Sequence, residues 1–549
     1  MAGLFQLPPG YTIAGGTSTA TPTAAGAVAL LISAAKQTGV RYDPFRIRHA
    51  MTTSARYVPH LPAHKQGNGV VNIGGAWETL RALDTARVQV SITSSASVQH
   101  PYSHLLPTPH QGVGLYERDR WSVGDVGERT ITFTRTSGPR EAMTFNVSWT
   151  GDDSGTFSAP PSVTLPLNTP VTLTVGVAPK THGAHTALLT LTHAAIPGYA
   201  YRTLVTVIAP QVLVAADSFT IVTKTQVPRP GMQSFFYRVP EGVSALQVAV
   251  QAPKRNVSLA VIRPDTRAES GDGPQSENTV VVTDPMPGTW EVRLSDIADT
   301  RVFDWEQAKK PEVVPATEAT LTVVALAADV STQTEAPMWG STDRATATFD
   351  LRITNRMAPY RVSGMSTPMG SARRDRPIIR EREQHVYVVD VPPGSTYLLA
   401  RAFQVSDPAA DIDVYVFDCT GKRCRRPVSD ADPIQDESVL VRQPASGTWK
   451  IVVDAFAVPS GSTSYEYLDV VFNPSYGMLA VTDLPDARKS GAEWTTTAHA
   501  WVTPAATTVD RTPYAAVMVQ AHPKDGEPFL VAFPELTPRM ATETGAARN

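Results

Sequence analysis

Hydrophobic and polar positions follow two different periods in this chain, and the change falls at about residue 86. Before it the pattern is helical. The run from Ala20 to about Lys36 is small and apolar on every side, as in Thr23-Ala24-Ala25-Gly26-Ala27-Val28-Ala29-Leu30-Leu31-Ile32. It therefore predicts a helix buried all round rather than an amphipathic surface helix. Pro22 falls in its first turn, where a missing N–H does no harm, and Gly39 is a stop signal. Asp43-Pro44 supplies N-cap and N1 chemistry for a second helix, Phe45 to about Ser54. Gln66-Gly67-Asn68-Gly69-Val70-Val71-Asn72-Ile73 predicts a turn and short strand, and Ala76 to Leu83 a closing helix.

After residue 86 apolar residues alternate with polar ones, the period of half-buried strands. Thr130-Ile131-Thr132-Phe133-Thr134 and Phe145-Asn146-Val147-Ser148-Trp149 show it, followed by Val163 to Leu167, Val171 to Val177, Ala187 to Leu191 and Tyr201 to Val207. About seven short strands with Pro-rich turns between them argue for a β-sandwich. An internal repeat comes next. Val239-Pro240-Glu241-Gly242 matches Val391-Pro392-Pro393-Gly394, and Val257 to Ile262 matches Ile412 to Phe417. Pro285-x-x-Gly288-Thr289-Trp290 matches Pro444-x-x-Gly447-Thr448-Trp449, so order and spacing mark a duplicated domain. Each tryptophan begins an alternating strand, for which core packing is the expected role and carbohydrate binding the sharper alternative. Residues 476–536 hold a last set of strands, Met478 to Thr482, Trp494 to Val502, Ala515 to Gln520 and Phe529 to Phe533, which form another small sandwich or complete the one before. The polar tail 537–549 is expected to be disordered.

Composition narrows the function classes. The net charge is −3 with 18% charged residues, so nothing points to nucleic acid or an anionic membrane. The 46 prolines and 36 glycines suit many short strands with turns. No apolar run reaches about 18 residues without small or polar breaks, so no membrane span is expected. Cys419 and Cys424 are the two cysteines; a local disulfide closing a loop tip fits them, and a zinc site does not. Asp407, Asp411, Asp413 and Asp418 cluster around one strand of the second repeat copy. Calcium is the cation such oxygens would suit, but the spacing is not that of an EF-hand. A solvated strand edge is the expectation, and no cofactor is expected.

The stretch that carries chemistry is Gly16-Thr17-Ser18-Thr19-Ala20-Thr21-Pro22. A serine hydroxyl there lies at a helix N-terminus, beside unpaired backbone N–H groups and the positive end of the dipole. Such a place suits a nucleophile with an oxyanion forming next to it. The bland alternative is a Ser/Thr N-cap. The stretch resembles the active-site motif of subtilisin-like serine peptidases, Gly-Thr-Ser-x-Ala-Thr-Pro and a small-residue helix, with Thr19 where that family usually has methionine. The order of nucleophile helix, second helix, Gly-x-Gly-x-x-Asn and final helix is a second resemblance to the end of such domains. By that resemblance Ser18 is the nucleophile and its N–H half of the oxyanion hole. The family's aspartate, histidine and side-chain oxyanion donor would precede the serine, and only 17 residues do so here. His49, His60 and His64 follow Ser18, in a helix and a loop that the family does not use for catalysis, and are expected to be surface or supporting residues.

The reading is thus multidomain: a C-terminal fragment of a subtilisin-like α/β domain followed by several all-β sandwich or jelly-roll-like domains. Residues 1–85 are the fragment and 86–212 a fibronectin-III-like sandwich, whose run from Gly114 to Ile208 resembles the first accessory sandwich of tripeptidyl-peptidase II-like subtilases. Residues 213–330 and 331–475 are the two repeat copies, similar to the jelly-roll-like domains at the C-terminus of secreted bacterial peptidases, and 476–536 a small β domain. The resemblance implies a serine peptidase, endopeptidase or tripeptidyl peptidase, acting on peptide or protein substrates; the charge balance and β-domains suggest secretion, and without a base for Ser18 this chain alone is expected to be inactive. The alternative is a non-catalytic binding or scaffold protein working through its β-domains. Oligomeric state and specificity are not legible.

Overall fold

The computed structural model describes residues 16–59, 61–85, 89–196, 198–228, 231–253, 257–269, 277–296, 315–332, 345–430, 436–524 and 527–536. His60 and the tail 537–549 lie outside them. Four helices come first: α1 (Thr17–Thr38), α2 (Pro44–Ser54), α3 (Ala63–Gln66) and α4 (Ile73–Thr85). α1 starts three residues before Ala20 because the Gly16 carbonyl accepts the amides of Thr19 and Ala20, each at 3.1 Å. Pro22 consequently lies inside the helix and has no N–H to give the Ser18 carbonyl four residues back. Thr21 and Thr23 hydroxyls bond back to the Thr17 and Thr19 carbonyls at 2.8 and 2.9 Å. Gly39 ends the helix in the left-handed region at φ 73°, and the Asp43 carboxylate accepts the Arg46 amide at 2.8 Å to open α2.

Two expectations for this segment change. The stretch before α4 contributes only a bridge, Val70 to Arg56, with both hydrogen bonds at 2.9 Å. Gly67 and Gly69 turn the backbone at positive φ, and Ile73 is already helical. α1 is also not buried all round. It buries a single stripe, Ala27, Leu31 and Ala35, while Leu30 is 59% exposed. The stripe joins Ile47, Ala50, Ala76 and Leu80 in a small core. No other described element covers the remaining faces.

The first sandwich is one continuous path of strands. Ile92–Gln99, Gly127–Arg135 and Pro170–Val177 pair on one side. Met143–Thr150, Gly183–Thr192 and Ala200–Ala209 pair on the other. The short strand Leu115–Glu117 runs parallel to both Ile92–Gln99 and Ala200–Ala209 and joins the two. Alternation puts Ile131, Phe133, Phe145 and Leu189 inside. Arg135, fully buried, donates to the carbonyls of Leu165, Ser137, Pro139 and Glu141 and so ties the loop after its own strand to the end of Ser162–Leu165.

The duplication shows strand for strand. In the first copy one sheet runs Thr220–Val227, Thr317–Leu326, Ala245–Gln251, Glu277–Thr283, and in the second Gly370–Asp375, Glu466–Phe472, Tyr397–Phe403, Glu437–Arg442. The facing sheets also agree, with Gly231–Val239, Gly288–Asp296 and Ser258–Ile262 corresponding to Gln384–Val391, Gly447–Ala457 and Asp411–Asp418. The repeated motif has a physical reason. Gly288 and Gly447 sit at φ 123° and 128°, where a side chain is strained. Each following tryptophan is buried and donates its indole N–H to a carbonyl four residues back, Trp290 to Met286 and Trp449 to Ala445, both at 2.8 Å. Both are core residues held by a turn.

The intervals 331–475 and 476–536 are interleaved rather than consecutive. Ala345–Asn355 pairs with Glu493–Val502, and Tyr360–Met365 with Met518–Ala521. These strands close a third sandwich around Phe349, Leu351, Ile353, Ala498 and Val519, and the second repeat copy is inserted into it. Its polypeptide therefore leaves after residue 368 and returns at 477. This sandwich takes the outer face of each copy: Ala245 and Val324 of the first join its core. Leu399, Leu468 and Phe472 of the second pack on Tyr514 and Ala516.

Candidate active site

Ser18 stands in the first turn of α1. Gly16 is the N-cap, at φ 104° and ψ 171° in the positive-φ region that favours glycine, with no side chain to cap the helix, and no acidic residue lies in the first turn. The first amides of the helix therefore have no capping side chain at the place where the hydroxyl lies. The hydroxyl is exposed and makes no hydrogen bond among the described residues, so Ser18 is not a side-chain N-cap. No histidine or carboxylate among those residues hydrogen-bonds to it.

The histidines that follow are engaged elsewhere. His49, on α2, stacks on Tyr199 of the first sandwich with ring centroids 4.4 Å apart and contacts the Thr53 hydroxyl at 3.2 Å. Burial, with Arg202 adding to it, lowers its pKa to about 4, so the ring is neutral at physiological pH. His64, on α3, is likewise pushed down by burial and by Lys65. His49 belongs to the joint between the helical segment and the sandwich, where Arg202 donates to the Thr52 carbonyl at 3.0 Å. That joint, including a cavity of about 250 Å³ between Phe45, His49 and Tyr199, left no signal in the sequence. Only long-range pairing brings Tyr199 and Arg202 to α2.

The acidic cluster is held by its own loops. Asp407 accepts the amides of Ala409 and Ser460, and Asp418 accepts from Thr420 and pairs with Arg425 at 3.3 Å. Asp413 accepts the Tyr415 hydroxyl at 2.8 Å. Among the described residues no group of three His, Cys, Asp or Glu is placed to hold a metal ion. Cys419 and Cys424 are joined by a disulfide across the same loop tip. α1 is the one described helix whose length and mean hydropathy, 1.3, would allow a membrane crossing. Its Leu31 stripe is packed against α2 and α4.

Comparison with known proteins places this geometry. Residues 6–69 match the Subtilase family, and residues 93–209 match an Ig-like domain in actinomycete serine proteases. Pyrolysin of Pyrococcus furiosus is 26% identical over 462 residues, which is 81% of this chain and 30% of pyrolysin. Tripeptidyl-peptidase 2 of Drosophila melanogaster is 43% identical over 65 residues, 12% of this chain and 4% of that protein. The crystal structure of tripeptidyl peptidase 2 aligns with a TM-score of 0.51 at 13% identity, over 94% of this chain and 46% of the other, a likeness of fold. The chain thus spans less than a third of the curated relatives named here. The helical N-terminal segment thus carries the likeness to the Subtilase family, and the β-domains that follow share the fold of the tripeptidyl peptidase 2 structure.

Proposed function

We propose that the protein acts as a subtilisin-like serine peptidase with Ser18 as nucleophile, on peptide or protein substrates. The observation that carries this is an exposed serine hydroxyl, free of hydrogen bonds among the described residues, at a glycine-capped helix start inside the segment that matches the Subtilase family. Ser18 Oγ attacks the peptide carbonyl while a histidine takes its proton, and the amine leaves with that proton. Water then releases the acyl group. The Ser18 N–H donates to the oxyanion. Among the described residues no histidine hydrogen-bonds to Ser18, so the proton transfer needs a histidine and an aspartate that those residues do not supply. The exposed faces of α1 support the same reading, because an apolar helix with one covered stripe fits against a further layer of an α/β domain. The match to an Ig-like domain of actinomycete serine proteases supports action outside the cell.

The test is hydrolysis of a casein peptide mixture by a form extended with the upstream coding sequence. Ser18→Ala is expected to lower the rate by about a thousandfold or more, as for loss of a triad member. An unchanged rate would overturn the assignment. Action through the β-domains alone is the second reading, favoured by the cavity described next.

A further inference from the structure

Where the two repeat copies and the third sandwich meet there is a cavity of about 710 Å³. It is lined by terminal strands. Glu277–Thr283 ends its sheet in the first copy, and its counterpart Glu437–Arg442 ends the equivalent sheet in the second. Ala328–Thr332 and Phe529–Ala532 each end a sheet of the third sandwich, and all four strands contribute to the lining. A sheet edge carries unpaired amides and carbonyls that can pair with a further strand.

The phase of the hydrogen bonds shows which groups these are. Gln443 donates to Thr396 at 2.8 Å, one step beyond the register that pairs Tyr397 with Arg442. Antiparallel pairs alternate between bonded and non-bonded. Val441 and Val439 therefore bond to their neighbour strand, while Leu440 and Arg442 turn their amides and carbonyls away from it. Both line the cavity. The first copy repeats the arrangement: Asp284 donates to Ser244 at 2.8 Å, which turns Val281 and Thr283 outward, and both of these also line the cavity.

Charge says what would sit there. Arg401 lines the cavity with its guanidinium 4.7 Å over the Phe403 ring, and its Nε is buried with no hydrogen bond. Neither Arg401 nor Arg442 has a carboxylate partner among the described residues, whereas Asp329, on the same wall, is paired with Arg356 at 3.2 Å. Tyr514 and Phe533 add an aromatic wall. We infer that this cavity is a peptide-docking site, separate from Ser18. It takes an extended acidic segment that adds as a strand to the Glu437–Arg442 edge and meets Arg401 and Arg442 with its carboxylates. Backbone pairing supplies affinity and the guanidinium groups supply selection.

The experiment is fluorescence anisotropy on the full chain. The probe is an end-blocked, fluorescein-labelled octapeptide alternating valine and glutamate, compared with the same peptide carrying lysine for glutamate. The glutamate peptide is expected to bind saturably and at least about tenfold more tightly than the lysine peptide. Arg401→Gln is expected to weaken it about tenfold. Leu440→Pro removes one outward amide at a position where an edge strand tolerates proline, and is expected to weaken it several-fold with no change in circular dichroism. If Leu440→Pro fails to fold, Arg401→Gln decides alone. No saturable binding, or equal affinity in the wild type and Arg401→Gln, would overturn the site. Because the readout is binding, a failure here is distinct from a failure of Ser18 chemistry.

Discussion

The helical segment and the repeated β-domains solve the burial problem to different degrees. Residues 16–85 close a core of six buried apolar side chains, Leu31, Ala35, Ile47, Ala50, Ala76 and Leu80. The first repeat copy closes one that includes Trp290, Tyr237, Leu246, Val248, Leu294 and Leu321, with both sheets contributing. Apolar area removed from water is the main favourable term in folding. The copies therefore carry their own stability, and α1, with Leu30 in solvent, carries little. The region that holds the candidate nucleophile is the one least able to hold itself in place.

The sharpest way to break that contrast is in the repeat cores. Trp290→Ala should cost about 3–5 kcal/mol, since the side chain is fully buried and its N–H satisfies the Met286 carbonyl. Chemical denaturation of the full chain checks it, and the helical segment should be unaffected. Arg511→Met comes next. It leaves Asp469 buried without its cation, and the carboxyl is already raised by burial despite that arginine. Loss of about 3 kcal/mol is expected between the second copy and the third sandwich, read as a separated unfolding step.

A smaller effect lies at the joint of the two regions. His49 is held down to about 4 by burial, from an ordinary value of 6.5, so the unfolded form binds the proton more readily. The stability it permits is intact above pH 6.5 and falls as pH drops toward 4, by about 2–3 kcal/mol at pH 4.5. Arg48, Arg202, Tyr199 and Thr53 surround the ring, and none is a carboxylate that would reverse the sign. Hydrogen exchange of Pro44–Ser54 should accelerate in that window while Gly288–Asp296 does not; His49→Phe should remove the dependence. The smallest effect is on α1 itself. Leu30→Ser should change stability by less than about 0.5 kcal/mol, where Leu31→Ala costs about 2.

Local chemistry was legible in the sequence; partnerships across the chain were not. Asp43-Pro44 and Gly39 mark helix ends wherever they occur, and Pro-x-x-Gly-Thr-Trp builds the same turn twice. Alternation set the strands of the first sandwich to within a few residues. Nothing near Ala345 says that it pairs with Val502 across the inserted copy, so the break placed at 475 missed the interleaving. The cavity was invisible for the same reason, because its strands are 277–283, 328–332, 437–442 and 529–532. For α1 the all-apolar pattern predicted burial all round and only one stripe is buried, because burial needs covering layers and among the described residues only α2 and α4 supply them.

The most direct test of the whole account is labelling by a fluorophosphonate probe, with the modified serine located by peptide mass spectrometry. The probe is applied to the 549-residue chain and to a form extended upstream in the same reading frame. Labelling of Ser18 in the extended form alone is the predicted result, since the hydroxyl lies ready at the start of α1 but has no base within the described residues. Labelling of another serine, or of none in either form, would contradict it, and the function of this protein would then have to be sought in the β-domains.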